Sequence, residues 1–360
     1  MVGSLNVGGS QTMVMNLYRN IDRSKIQFDF IIDRPNELFF ADEINSLGGN
    51  VYVLPTFSPK DYFKMVNEWK KFLLSHNYYS AVHFHVRSYI SLIIPIVKSF
   101  KVPVISHSHS ISSGSGFSSI VKSSLQFPIR YQADYFLACS DEAGRWLFGE
   151  KILNKNNYHT VKNAIDGNLF YFNLDKRSEV RKKLQISEHT FVFGNVGRLT
   201  AAKNHMFLLE VFSELRKKID SKLLLIGDGQ LKNDLLRRAE FLGIKQDCIF
   251  LGDQKDVFEF YNAMDTFIFP SLWEGLGIAV IEAETNGIQC YVSDRVPDSV
   301  DINAGLVKFL SLNEPSEYWA EQIINKKICN RKSPVEKFKS SGYDIDSTAK
   351  WYESFYLNIR

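Results

Sequence analysis

Two glutamates eight positions apart, Glu274 and Glu282, lie in FPSLWEGLGIAVIEA (Phe269–Ala283). The first residues end an apolar strand; Gly275 and Gly277 then let the backbone approach a ligand closely as a helix opens. Eight helical residues rise ~12 Å, so the two carboxylates cannot share one atom. They suit the two ends of an elongated ligand, a sugar at one and a ribose at the other, unless they are incidental acids on a strand–turn–helix. A second stretch, GNVGRLTAAKNH (Gly194–His205), ends a strand at Val196, turns at Gly197 and presents Arg198 and Lys203 before the next helix. Two cations beside backbone N–H groups on such a loop form a diphosphate cradle, or else are ordinary solvated surface charges.

Histidines supply a third group. SHSHS (Ser106–Ser110) closes an apolar strand, and His83 and His85 bracket the end of the strand before it. Adjacent strand ends could gather these two with His107 and His109. A histidine there can face a cleft, while a capping or core role fits His107 equally. No spacing matches a metalloenzyme signature, so no metal is expected. Near the start, Gly8 and Gly9 of NVGGSQ precede a helical pattern (Met13, Leu17) with Ser10 as the expected N-cap. A glycine pair at a helix N-terminus can admit phosphate or sugar oxygens, but this is neither a dinucleotide nor a Walker fingerprint. IGDGQ (Ile226–Gln230) is a further glycine turn after a strand, and Asp344 and Asp346 read as helix capping.

The elements that must position these residues follow one rhythm. Phe28–Asp33, Val51–Leu54, Ala81–Phe84, Val102–Ser106 and Tyr135–Cys139 are short apolar runs with β-branched or aromatic content, as parallel-sheet strands should be. Helical periods separate them, with Tyr62, Val66, Trp69 and Leu73 on one face. The rhythm pauses near Asn163–Lys176 and restarts with strands at His189–Gly197, Ser221–Gly229, Cys248–Gly252, Asp265–Pro270 and Ile288–Asp294. Helical patterns fill the gaps at about 205–219, 231–242 and 277–286. Two doubly wound α/β domains in series are expected, residues 1–170 and 171–344, with a cleft between them and a terminal helix at about 345–360 packing back on the first.

Composition agrees. The chain of 360 residues is 45% hydrophobic and 23% charged, which excludes a disordered protein, and two cores fit the length. The longest apolar run, near Ile90–Val97, contains Pro95 and falls far short of the ~20 residues of a membrane span. No signal peptide is visible at the start. Cys139, Cys248, Cys290 and Cys329 form no paired motif, so the reading is of reduced thiols in a cytoplasmic protein. The formal net charge of +3 is uneven: residues 1–165 carry 17 basic and 12 acidic side chains, leaving 26 and 28 for the rest. A mildly basic first half suits an anionic partner or membrane surface, and the excess is too small for nucleic acid.

These stretches, in this order, resemble family 4 of the retaining, nucleotide-sugar-dependent glycosyltransferases, which have the GT-B fold of two Rossmann-like domains. GRLTAAK, IGDG and EGLGIAVIE carry the likeness, which covers nearly the whole chain. ACSDEAGRWLFG (Ala138–Gly149) and VKNAID (Val161–Asp166) look like the branch that builds bacterial capsule, exopolysaccharide and O-antigen repeats. The resemblance implies a metal-independent hexosyltransferase without a cofactor, acting on a nucleotide-diphosphate sugar and a saccharide acceptor on a polyprenyl diphosphate, with peripheral membrane contact. It implies that Arg198 and Lys203 hold the donor diphosphate. It implies likewise that Glu274 lies beside the transferred sugar, that Glu282 bonds the ribose hydroxyls and that His109 sits near the reacting centre. Gly8, Gly9, Gly197, Gly229, Leu276 and Gly277 would lie against the donor. A non-catalytic GT-B partner subunit and a sugar-nucleotide epimerase are the competing implications. Only Met1–Leu5 precede the glycine turn where the family has a complete first strand, so that strand is expected to be curtailed, exposing a sheet edge, or to begin upstream.

Overall fold

The computed structural model describes residues 1–6, 8–109, 117–325 and 331–359. Cys329 and Ser110 therefore lie outside the described residues. The chain divides into two compact units: Met1–Ile165 with Ile345–Arg360, and Asp166–Asp344.

In the first unit, β1 (Phe30–Ile32) pairs in parallel with β2 (Val51–Val53). Strands β3 (Val82–Phe84), β4 (Val104–Ser108), β5 (Tyr135–Ala138) and β6 (Tyr158–Thr160) form a second parallel ladder in that order. Alternate residues feed different cores, as the period of two requires. Ile31, Phe84, Val104 and Phe136 join one cluster with Trp69 and Ile93. Phe30, Ile32, Ile105 and Leu137 join another with Leu17, Tyr18, Ala349 and Tyr352. The latter two come from the terminal helix Ile345–Leu357, so this helix is part of the first unit's core.

The expected bare edge at the start is not found. Val2 N donates to Ile31 O (2.9 Å) and His85 N donates to Met1 O (2.9 Å). Residues 1–3 thus lie between β1 and β3 and satisfy the backbone groups that a missing strand would orphan.

The second unit holds six parallel strands in the order β12-β11-β10-β7-β8-β9. These are β7 (Phe191–Val196), β8 (Ser221–Ile226), β9 (Cys248–Gly252), β10 (Thr266–Phe269), β11 (Gln289–Ser293) and β12 (Val307–Leu310). The order reverses at β7, the chain's first strand here, which makes its carboxyl end a topological switch point. Helices His205–Arg216 and Ser316–Ile324 pack over one face, burying Leu208, Phe212 and Trp319 with Phe193 and Leu223.

Candidate functional site

In the second unit the loop leaving β7 is clamped by the turn leaving β8. Gly197 N donates to Ile226 O (2.9 Å), Leu199 N to Asp228 O (2.9 Å), and Leu231 N to Leu199 O (3.1 Å). Gly227 has φ +127°, and a Cβ there would stand 2.3 Å from Gly197 O. Only glycine lets the two backbones pass so closely. The clamp fixes Arg198 at the surface and Leu199 in the core.

Lys203 folds back across Gly197 and reaches Glu274, Nζ to Oε1 at 2.6 Å, with its Nζ 4.7 Å from the Phe269 ring centroid. The two side chains are only 20% and 10% exposed. Leu272 N donates to Ala202 O (2.8 Å), which ties the Glu274 loop to the lysine loop. Gly277, with φ +88°, then turns the chain into helix Ile278–Thr285, with Val296 and Val300 packed close around it. No acidic side chain occupies the first turn of that helix, and no side chain caps it. Its positive end is therefore not offset by an acid of its own first turn.

Four turn residues on, Glu282 is buried and accepts from the Tyr261 hydroxyl at Oε2 (2.6 Å). Burial pushes its carboxyl up to about 7, against the opposing pull of the Tyr261 hydroxyl and the Lys203 charge. Beneath Lys203, His205 donates from Nε2 to Asn195 Oδ1 (3.0 Å), and Asn195 donates in turn to Ile268 O (2.7 Å). Burial and the Lys203 charge push His205 down to about 4, so it stays neutral.

In the first unit, helix Gly9–Asn20 begins with Gly8 as N-cap. Ser10, expected there, instead lies inside the first turn and donates to Gln11 Oε1 (2.9 Å); glycine in extended backbone at position 8 makes the cap a backbone feature. Gly8 and Gly9 thus open a helix whose first turn has no acid. His109 follows β4 and bonds His85 Nδ1 through its Nε2 (2.9 Å). Burial and the Arg87 charge push it down to about 3, so its ring is neutral at physiological pH. His83, His85 and His107 pack beside it, and burial lowers all three.

The structure therefore gathers Lys203, Glu274, Gly197 and Gly277 around one strand-end region of the second unit, with Leu276 and Glu282 on the adjoining helix entry. Gly8, Gly9 and His109 belong to the first unit. Tyr261, Asn195, His205 and Phe269, which hold these groups, carried no signal in the sequence beyond their place in apolar runs. Tyr261 is the partner that a buried Glu282 demands.

The profile described as Glycosyl transferases group 1 matches residues 176–332, and that of Glycosyltransferase Family 4 matches residues 7–168. EpsF of Bacillus subtilis (strain 168), named as a glycosyltransferase, is 34% identical over 95% of this chain and 91% of its own length. A capsular polysaccharide biosynthesis glycosyltransferase of Staphylococcus aureus, CapH, is 24% identical over 98% of this chain and 96% of its own. An Escherichia coli UDP-Gal:alpha-D-GlcNAc-diphosphoundecaprenol alpha-1,3-galactosyltransferase matches 37% of this chain and 36% of its own at 34% identity. Among solved structures, Anabaena Alr3699/HepE in complex with UDP and glucose superposes with a TM-score of 0.73 at 17% identity, covering 97% of this chain and 94% of that one. The chain belongs to glycosyltransferase family 4 and has the GT-B fold.

Proposed function

We propose that this glycosyltransferase moves a hexose-type sugar from a nucleotide-diphosphate sugar, with retention, to a lipid-linked saccharide in surface-polysaccharide synthesis. The observation that carries this reading is the Lys203–Glu274 pair held beside the uncapped helix start at Gly277, with Arg198 on the same loop. The hard step is breaking the anomeric C–O bond as the nucleoside diphosphate leaves. Negative charge then builds on the departing phosphate. Arg198, Lys203 and the N–H groups near Leu276 and Gly277 receive it in this reading, so no divalent ion is required at that point.

Glu274 holds Lys203 and reaches the sugar side. Glu282, whose carboxyl burial pushes up to about 7, offers its other oxygen to a ribose hydroxyl. Front-face attack suits a sequence that offers no compelling nucleophile: the leaving phosphate oxygen takes the proton of the acceptor hydroxyl as the new C–O bond forms. His109, kept neutral by burial, would act through hydrogen bonding rather than charge.

The acceptor reading draws on the names of the relatives and on the first unit's surface. Phe63, Leu74 and Tyr78 are exposed, and Lys60, Lys64, Lys70 and Lys71 stand on or beside the same helix, Tyr62–Ser75. An apolar and basic face of this kind suits contact with the anionic inner surface of a membrane, from the cytoplasmic side. Among the described residues no helix is long and apolar enough to cross one.

The test is a panel of UDP- and GDP-sugars with a polyprenyl-diphosphate-linked saccharide, read by nucleotide release and by NMR of the product anomer. One donor giving a retained linkage is expected, and Arg198→Ala should abolish it. Inversion at the anomeric carbon overturns the stereochemical reading. Turnover of donor alone to an epimer would identify an epimerase, and binding without turnover a non-catalytic subunit.

A further inference from the structure

Four imidazoles meet on one face of the first unit's sheet. In the parallel register His83 stands opposite Ile105 and Phe84 opposite Ser106, so one step on His85 comes opposite His107. The period of two places His83, His85, His107 and His109 on the same side, the side covered by helix Ile345–Leu357. Ring centroids are 4.1 Å apart for His83 and His85, 5.2 Å for His85 and His107, and 4.0 Å for His107 and His109.

Their hydrogen bonding is incomplete. A neutral imidazole carries one donor and one acceptor. Yet both nitrogens of His107 and Nε2 of His83 are buried with no partner. Buried polar atoms in native proteins are nearly always satisfied, so three orphans in one cluster call for an occupant.

We propose that His83, His85 and His107 form a binding site for a zinc-class divalent cation. One ring nitrogen from each lies within 4.8 Å of the other two. Atoms so spaced stand at most about 2.8 Å from a common centre, and imidazole–zinc bonds run ~2.0–2.1 Å, so ring shifts of under an ångström close the site. The donor set is imidazole alone, which selects zinc and its first-row neighbours over magnesium or calcium.

The remaining nitrogens already have outer partners. His83 Nδ1 bonds the Tyr356 hydroxyl (2.7 Å), and His85 Nδ1 bonds His109 Nε2 (2.9 Å). Outer bonds of this kind orient metal-binding histidines, and they leave Nε2 of both rings for the ion. Loading has a further consequence. An ion on His85 Nε2 forces its proton onto Nδ1, which then donates to His109 Nε2 and leaves the His109 proton on Nδ1. The site is distinct from the diphosphate cradle, which lies in the second unit.

The experiment uses the full, untagged chain in metal-free buffer, titrated with cobalt(II) and then zinc(II). One cobalt per chain, with the visible absorption of a low-coordinate imidazole site and displacement by zinc, is expected. His83→Phe and His107→Phe should weaken binding ~100-fold or more, and Tyr356→Phe ~10-fold. His189→Ala should leave it unchanged. Absence of a cobalt band in the wild-type chain, or unaltered affinity in both ligand variants, overturns the proposal. Should those variants not fold, zinc-edge absorption of the wild-type chain decides: three imidazole nitrogens support the site, and any other ligand set refutes it.

Discussion

Replacing Lys203 by methionine keeps the aliphatic stem and removes one charge. In the native protein that charge lies 2.6 Å from Glu274 Oε1 and over the Phe269 ring, with both ionic side chains mostly shielded. A hydrogen bond between charged groups is worth ~1.5–3 kcal/mol, and the exposed-side cation–π contact adds ~0.5–1 kcal/mol. Lys203→Met should therefore lower unfolding stability by ~2–4 kcal/mol, measured by urea denaturation. Its effect on transfer is separate in origin. A fixed donor facing a developing anion is worth ~3–4 kcal/mol, so kcat should fall ~100- to 1,000-fold in single-turnover assays. The variant Lys203→Met/Glu274→Gln tells the two apart, since it removes the stranded carboxylate: stability should recover in part while transfer stays low. Transfer by Lys203→Met within about 3-fold of wild type would refute the cradle reading, because that is far below the expected ~3–4 kcal/mol.

Glu282 makes stability fall with pH. Its carboxyl ionises near the usual 4.5 when unfolded and near 7 when folded, so the native state loses ground as pH rises between those values, by ~3 kcal/mol in all, and the deficit is constant above. Thermal melts across that window should flatten in Glu282→Gln. Gly277→Ala, at φ +88° and with Val296 and Val300 carbons 3.2 Å from the added methyl, should cost ~1–2 kcal/mol in chemical denaturation and weaken nucleotide binding in calorimetry. Asp265 accepts from Arg177 (2.6 Å), Arg181 (2.7 Å) and Val192 N (2.8 Å), with the Arg181 side chain fully buried. Asp265→Asn should destabilise the second unit by ~3–5 kcal/mol, read as a lower urea midpoint. Leaving magnesium and manganese out of the transfer assay should not change the rate; a strict requirement for either would contradict neutralisation by side chains.

Strand positions were legible wherever a strand is buried on both faces. Val192–Phe193, Leu223–Ile226 and Phe267–Phe269 are apolar without interruption because helices cover both sides. The edge strands β6 and β12 were not, since YHT and VKFL are short and carry polar side chains on an open edge. β4 runs two residues past the stretch read as a strand: His107 and Ser108 remain in register with Leu137 and Ala138 although neither is apolar. The loop cations and both glutamates could be picked out by type and spacing. Their pairing could not, because Lys203 and Glu274 are 71 positions apart and meet only when β7 and β10 lie side by side. The meeting of the two His-x-His pairs, by contrast, could be expected from adjacent strand ends, and the ring contacts bear it out. The strand is curtailed as expected, but the edge it would expose is covered, because three residues suffice to bridge two ladders, which counting residues before a turn does not reveal.

Ile345 N donates to Ile165 O (3.1 Å), so the chain leaves the first unit and re-enters it at the same spot. Everything from Asp166 to Asp344 is spliced into a loop of its host. On the ribosome the order of completion is then inverted. The later-starting half emerges whole and can close its own core, while the earlier half waits for Ala349 and Tyr352 to seal the face built by Leu17, Tyr18 and Ile105. Until those last turns emerge, the nascent amino-terminal portion carries an open greasy flank, and a chaperone that shields it should be needed for just that interval of synthesis.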